Sequence, residues 1–138
     1  MGYCMSLTES TAHMERDNVP AAVAALKRLD RTGNKSGGEW GGGAQRASWF
    51  AWVNQGWANT DSIVEMLAAW RYDLIEYKDG NLLVESFFGE KYGDDDQLWE
   101  TLSPYMTGYI QMRGEDGEQW RWVLGRKFET LQGHTTFS

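Results

Sequence analysis

The sequence predicts an α+β protein: a mostly antiparallel sheet of five to seven strands with about three helices packed on one face. Two hairpins, two amphipathic helices and a repeat that joins them carry that prediction. Residues 71–77 and 82–88 are apolar-alternating arms around Lys78-Asp79-Gly80-Asn81, and Gly108 to Phe128 reads GYIQMRGEDGEQWRWVLGRKF around an acidic glycine turn. Asp-Gly between two such arms supplies the positive φ that a tight hairpin turn needs. Ahead of the first hairpin, Ile63, Met66, Leu67 and Trp70 fall at i, i+3, i+4 and i+7. Ahead of the second stand Leu98, Leu102, Tyr105 and Met106. Both sets follow the helical period.

The two helix–hairpin segments also align with each other. Leu67, Trp70 and Ile75 match Leu102, Tyr105 and Ile110 at a spacing of 35, and Phe88 to Tyr92 matches Leu124 to Phe128 at 36. Asp79-Gly80 and Asp116-Gly117 supply the turns at 37. A lone α-β-β unit cannot bury both its helix stripe and its sheet face, so such units are expected to pack side by side.

The remaining elements fall around this pair. Tyr3, Cys4, Met5 and Leu7 predict an N-terminal strand with Cys4 packed inside, and polar Thr8 to Met14 reads as an edge strand. Asp17 or Asn18 can cap a helix from Val19 to Asp30, with Pro20 in its first turn. The 17 residues from Arg31 to Ala47 hold six glycines and Trp40. They read as a loop that is either a binding arm carrying an aromatic contact or a tolerated insertion. Ser48 to Val53, SWFAWV, is apolar on both faces and reads as a central strand. With the Val19 helix it forms a candidate third, degraded copy of the unit. Ser62 and Glu65 have capping-box spacing. Asp94, Asp95 and Asp96 precede the third helix, where the helix dipole favours carboxylates, and Ser103-Pro104 ends it. A last strand is expected from Lys127 to Leu131, followed by a frayed tail from Gln132 to Ser138.

Charge and composition narrow the function. The chain of 138 residues carries 13 Lys and Arg against 20 Asp and Glu, a net charge of −7, and fits one domain with a substantial core. Residues 1–60 hold six basic and five acidic side chains, residues 61–138 seven and fifteen. An acidic C-terminal portion repels phosphate and anionic membrane, so direct nucleic-acid binding is disfavoured, and a basic partner suits it. The start MGYCMSLTES lacks a basic segment followed by an apolar one, and no apolar run is long enough to span a membrane, so a cytoplasmic location is expected.

Catalytic and metal motifs fail one by one. Cys4, His13 and His134 lie far apart without paired zinc-ligand spacing. Gly33 and Gly38 have the spacing of a phosphate loop, but Glu39 stands where its lysine belongs. Asp94 to Asp96 lack the spacing and terminal Glu of a calcium loop. No cofactor or metal is expected, and Cys4 is the one handle for an enzyme. Two binding readings remain. In the first, Asp94, Asp95, Asp96, Glu115, Asp116 and Glu118 form an acidic surface that covers a basic protein surface, with the GEDGE turn the part most free to meet a partner. In the second, Trp40, Trp57, Trp120 and Trp122 line a pocket for a planar, nucleotide-like ligand, with Arg71 or Arg121 pairing its phosphate. Core packing of those indoles is the alternative to that pocket.

The start MGYCM, SWFAWV, AAWRYD, GEKYGDD and GEDGEQWRW together resemble a group of short uncharacterised proteins of phages, prophages and other mobile elements of Gram-positive and actinobacterial hosts. The resemblance covers most of the chain outside the glycine-rich stretch and carries no functional residues. It implies an accessory protein, and small acidic phage proteins that block a host defence enzyme or sequester its nucleotide signal are similar in size and charge.

Overall fold

The computed structural model describes residues 3–41 and 44–133, with the backbone alone for the described residues between 39 and 47. In chain order the elements are β1 (Met5–Ser10), β2 (His13–Met14), α1 (Val19–Thr32), β3 (Gly37–Gly41), β4 (Ala44–Trp49), α2 (Ile63–Ala69), β5 (Tyr72–Glu76), β6 (Leu82–Phe87), α3 (Asp95–Leu102), β7 (Gly108–Gly114), β8 (Gln119–Leu124) and β9 (Glu129–Gly133). The fold is α+β, and every strand pairing is antiparallel.

Strand order is β1-β7-β8-β9 in one sheet and β2-β6-β5 in a second, with β3-β4 standing apart. The first two are joined by the N-terminal arm, which pairs on both sides. His13 and Thr107 exchange backbone hydrogen bonds of 2.9 and 3.0 Å, while the Val84 N–H reaches the Ala12 carbonyl at 3.0 Å on the other side. Lower down, the Glu115 N–H donates to Cys4 on one side and the Met5 N–H to Glu90 on the other. The order across the joined sheet is therefore β9, β8, β7, the arm, β6, β5. The two hairpins do not pack side by side as expected: the arm lies between them. Thr8 to Met14 is thus no edge strand but part of the sheet's centre. Its polar look comes from a bulge between Leu7 and Glu9, which shifts the side-chain alternation so that Met5, Ala12 and Met14 are all buried.

One hydrophobic cluster fills the space between sheet and helices. Ala22, Leu26 and Leu29 of α1, Ile63, Met66 and Leu67 of α2, and Leu98, Trp99 and Leu102 of α3 share this cluster with the alternate strand residues Ile110, Met112, Trp120, Trp122 and Leu124, α3 packing on β8 and α1 on α3. The opposite sheet face carries Tyr109, Arg113, Arg121 and Val123, as expected for an antiparallel sheet with one solvated side. Ser62 caps α2 by accepting the Glu65 N–H at 3.2 Å, as its spacing predicts. Asn18 occupies the cap position of α1, but its side chain donates instead to the Tyr105 carbonyl at 3.2 Å.

Four expectations need correction. Residues 31–47 are not one loop, because α1 runs to Thr32 and β3 and β4 pair as a hairpin. Gly37 lies opposite Trp49, and a Cβ there would fall 2.4 Å from the indole nitrogen. The strand placed at SWFAWV ends at Trp49. Phe50 and Val53 turn into the core, while Trp52 is 49% exposed with a left-handed φ of 67°. Ile75 and Ile110 are not equivalent either, since Ile110 is buried and Ile75 faces out. Leu74, packed on the core, is the true counterpart, at a spacing of 36. Each helix, α1 included, is followed by a hairpin, although β3–β4 stays outside the main sheet. The frayed tail expected from Gln132 does not begin there, because Gln132 and Gly133 belong to β9; 134–138 lie outside the described residues.

Gly108 begins the strand that meets the arm. Its φ is +96°, and a Cβ would sit 2.3 Å from the Thr11 carbonyl oxygen. Gly108→Ala is expected to cost at least about 2 kcal/mol, because left-handed strain adds to a clash with backbone that cannot rotate away. A thermal melt within a degree of the parent would show that the arm can slide.

Candidate partner-binding surface

The three aspartates at the start of α3 do not form an outward acidic cluster, Asp96 alone being exposed. Asp95 is fully buried: Oδ2 accepts the Tyr72 hydroxyl at 2.8 Å, Oδ1 accepts the Gly93 N–H at 2.9 Å, and Arg71 Nη2 lies 4.0 Å away. Burial raises the Asp95 carboxyl above the usual carboxylate range, against the hydrogen bonds and Arg71. Asp94 Oδ2 accepts the Ser36 N–H and hydroxyl and the Ala51 N–H at 3.1, 3.0 and 2.9 Å. It thereby ties the start of α3 to the segments on either side of the β3–β4 hairpin. Asp96 accepts the Tyr92 hydroxyl at 2.6 Å and the Trp122 indole N–H at 2.7 Å. Burial, then Asp96 itself, raises the Tyr92 phenol, so Tyr92 stays a donor. All three carboxylates hold the fold together, and Asp95 is out of a partner's reach.

The acidic turn of the last hairpin is engaged too. Glu115 accepts the Cys4 N–H at 2.7 Å, and Asp116 accepts both the Tyr3 hydroxyl and, at 3.0 Å, the Glu118 N–H. The hydrogen bond to Asp116 pushes the Tyr3 phenol up to about 12. Cys4 is partly exposed rather than a core thiol, and Lys91 Nζ lies 3.0 Å from its sulfur. That contact raises the Lys91 ammonium above its ordinary value.

The indoles proposed as a pocket wall are core. Trp57, Trp120 and Trp122 are buried: Trp57 meets Phe50 and Trp70 edge-on, Trp120 stacks on Tyr92, and Trp122 lies against Trp99 and Trp120. Arg71 is half-buried with φ +73°, donating from Nη1 to the Lys91 carbonyl at 3.1 Å and lying over the Phe87 ring. Arg121 does project from the opposite sheet face. There it donates to Gln111 Oε1 at 3.0 and 2.7 Å and stacks 3.9 Å from the Tyr109 ring centroid. The Trp40 side chain lies outside the described residues. A planar-ligand pocket therefore loses the walls assigned to it. Among the described residues, no group of three or more His, Cys, Asp and Glu is placed to hold a metal ion, and no helix is long and apolar enough to cross a membrane.

The surface the sequence reading missed is the β5–β6 hairpin at the sheet's edge. Residues 72–89 carry Asp73, Glu76, Asp79 and Glu85 against Lys78 alone. All five are exposed, although Asp79 also caps its own turn by accepting from Asn81 at 3.0 Å. Among the same residues Ile75 is 37% exposed, Tyr77 51% and Phe88 60%, half of the exposed large apolar side chains described. The signal was present in the four-to-one charge count of this hairpin, but the Asp94 to Asp96 run is the more conspicuous acidic feature in a sequence. Neither a family model, a curated protein nor a solved structure matches the chain.

Proposed function

We propose that this protein acts by binding, covering a basic surface of another protein with its acidic and partly apolar β5–β6 hairpin, and that it performs no chemistry of its own. The observation that carries the reading is the composition of that edge: four carboxylates, one lysine and three exposed apolar side chains on one hairpin. Such a patch combines charge that steers a basic partner with apolar area that holds it. On the resemblance to phage and mobile-element proteins, the expected partner is a host protein, and occlusion of a host defence protein is the matching role.

The test compares two neutralised variants against lysine-rich peptides and basic folded proteins, by fluorescence anisotropy at low and moderate salt. Asp73→Asn, Glu76→Gln and Glu85→Gln together are expected to weaken binding about tenfold and flatten its salt dependence, as loss of three rim charges does. Glu115→Gln, Asp116→Asn and Glu118→Gln together, in the engaged turn, are expected to leave it within about twofold. Unchanged binding in the first variant, or equal loss in both, rejects the reading.

A further inference from the structure

We infer that the free edge of β5 takes up an extended, basic segment of the partner as an added strand, an inference that rests on the binding reading above and names how the binding is made. The backbone geometry selects the edge. Tyr77 gives its N–H to the Asn81 carbonyl and accepts from Gly80, both at 2.9 Å, so residue 77 turns its polar groups toward β6. Val84, opposite Leu74, gives its N–H to Ala12 on the far side of β6, so that pair is not hydrogen-bonded. By the alternation of an antiparallel ladder, Leu74 and Glu76 direct their N–H and C=O groups away from β6. Among the described residues no backbone bond from outside the strand reaches either one.

Side chains on both faces of this edge specify what fits. Asp73, Ile75 and Tyr77 alternate on the solvated sheet face, while Glu76 lines a groove with Ile63 and Val64 of α2 on the other. An incoming strand of alternating apolar and basic residues lays its apolar side chains on the face of Ile75 and Tyr77 and its basic ones on the face of Glu76. Main-chain pairing supplies affinity and the flanking side chains select sequence, as in other strand-addition complexes. A second copy of this chain fits poorly, because self-pairing brings Asp73 and Glu76 against like charges in a molecule of net charge −7. The opposite edge, β9, follows Arg126 and Lys127, which repel a basic strand. Charges on an edge also guard it against aggregation, but guarding does not call for Ile75 and Tyr77 in the open.

The experiment uses the 15N-labelled full chain and three short synthetic peptides: one alternating Lys with Val, the same peptide N-methylated at alternate residues, and a Glu/Val counterpart. The Lys/Val peptide is expected to shift β5 amides and slow hydrogen exchange at Leu74 and Glu76. N-methylation on the pairing edge and the Glu/Val sequence are each expected to weaken binding at least about tenfold. Glu76→Pro, which removes an N–H from the free edge and none from the ladder, is expected to abolish binding while the fold persists. Glu76→Lys, which keeps the N–H, tests charge should the proline variant unfold, and is expected to weaken the Lys/Val peptide. Equal binding of the N-methylated peptide overturns strand addition while leaving acidic-surface binding intact. Failure of the Lys/Val peptide to bind overturns the inference, and failure of basic folded proteins as well overturns the reading beneath it. Dimerisation through β5 without peptide would assign the edge to self-pairing and overturn it too.

Discussion

Asp95→Ala is expected to lower stability by about 3–5 kcal/mol, the cost of breaking a buried charged cluster by removing one partner. The carboxylate is 0% exposed and accepts from Tyr72 at 2.8 Å and from the Gly93 N–H at 2.9 Å. Its loss strands a buried hydroxyl, and it leaves Arg71, whose Nε and Nη2 are buried without hydrogen bonds, with no counter-charge. Asp95→Asn keeps an acceptor and the volume, so a smaller loss is expected. Urea unfolding at several pH values separates the terms. Because burial raises the folded-state value of Asp95, the folded chain holds that proton more tightly than the unfolded chain does. The stability this confers is fully present below the ordinary carboxylate value and is lost as pH rises through the raised one. The deficit of Asp95→Asn relative to the parent should therefore shrink with rising pH across that window. A deficit that grows instead would show that pairing with Arg71 outweighs desolvation.

Trp122→Ala is expected to cost a similar amount, about 3–5 kcal/mol, as large aromatic deletions in a packed core do. Trp122 is fully buried where β8 meets α3, with ring centroids 6.3 Å from Trp99 and 6.1 Å from Trp120. It also differs from its neighbours in polarity. Among the described residues the ring N–H groups of Trp57, Trp70 and Trp120 find no partner, whereas that of Trp122 donates to Asp96 at 2.7 Å. Trp122→Phe keeps most of the packing and loses that bond, so about 1–3 kcal/mol is expected. Thermal or urea unfolding of both variants checks the pair. Equal melting points for Ala and Phe would mean that the hydrogen bond, not the ring, carries the site.

The local elements were legible because their signals are local. Helical periodicity located the three α-helices described, Ser62 marked a real cap, and Asp-Gly at 79–80 and 116–117 marked the β5–β6 and β7–β8 turns. The errors share a cause: in each, non-local pairing overrode local pattern. Thr8 to Met14 looks like an edge until backbone from both hairpins pairs with it. The glycine-rich stretch carries no side-chain alternation, yet a strand needs only its backbone to pair.

The same division separates the two acidic sets. Asp94, Asp95 and Asp96 look like a solvated run, but tertiary folding brings Ser36, Ala51, Tyr72 and Trp122 to them from four separate stretches. Asp73, Glu76 and Glu85 look scattered and end up on one exposed edge hairpin. By itself the sequence determined the fold class, the helices, the hairpins and the sign of the charge, since these follow from periodicity, turn chemistry and composition. Only the tertiary structure decided which carboxylates face water and that the N-terminal arm is the sheet's centre. Both depend on which distant groups complete a hydrogen bond, and no local pattern encodes that.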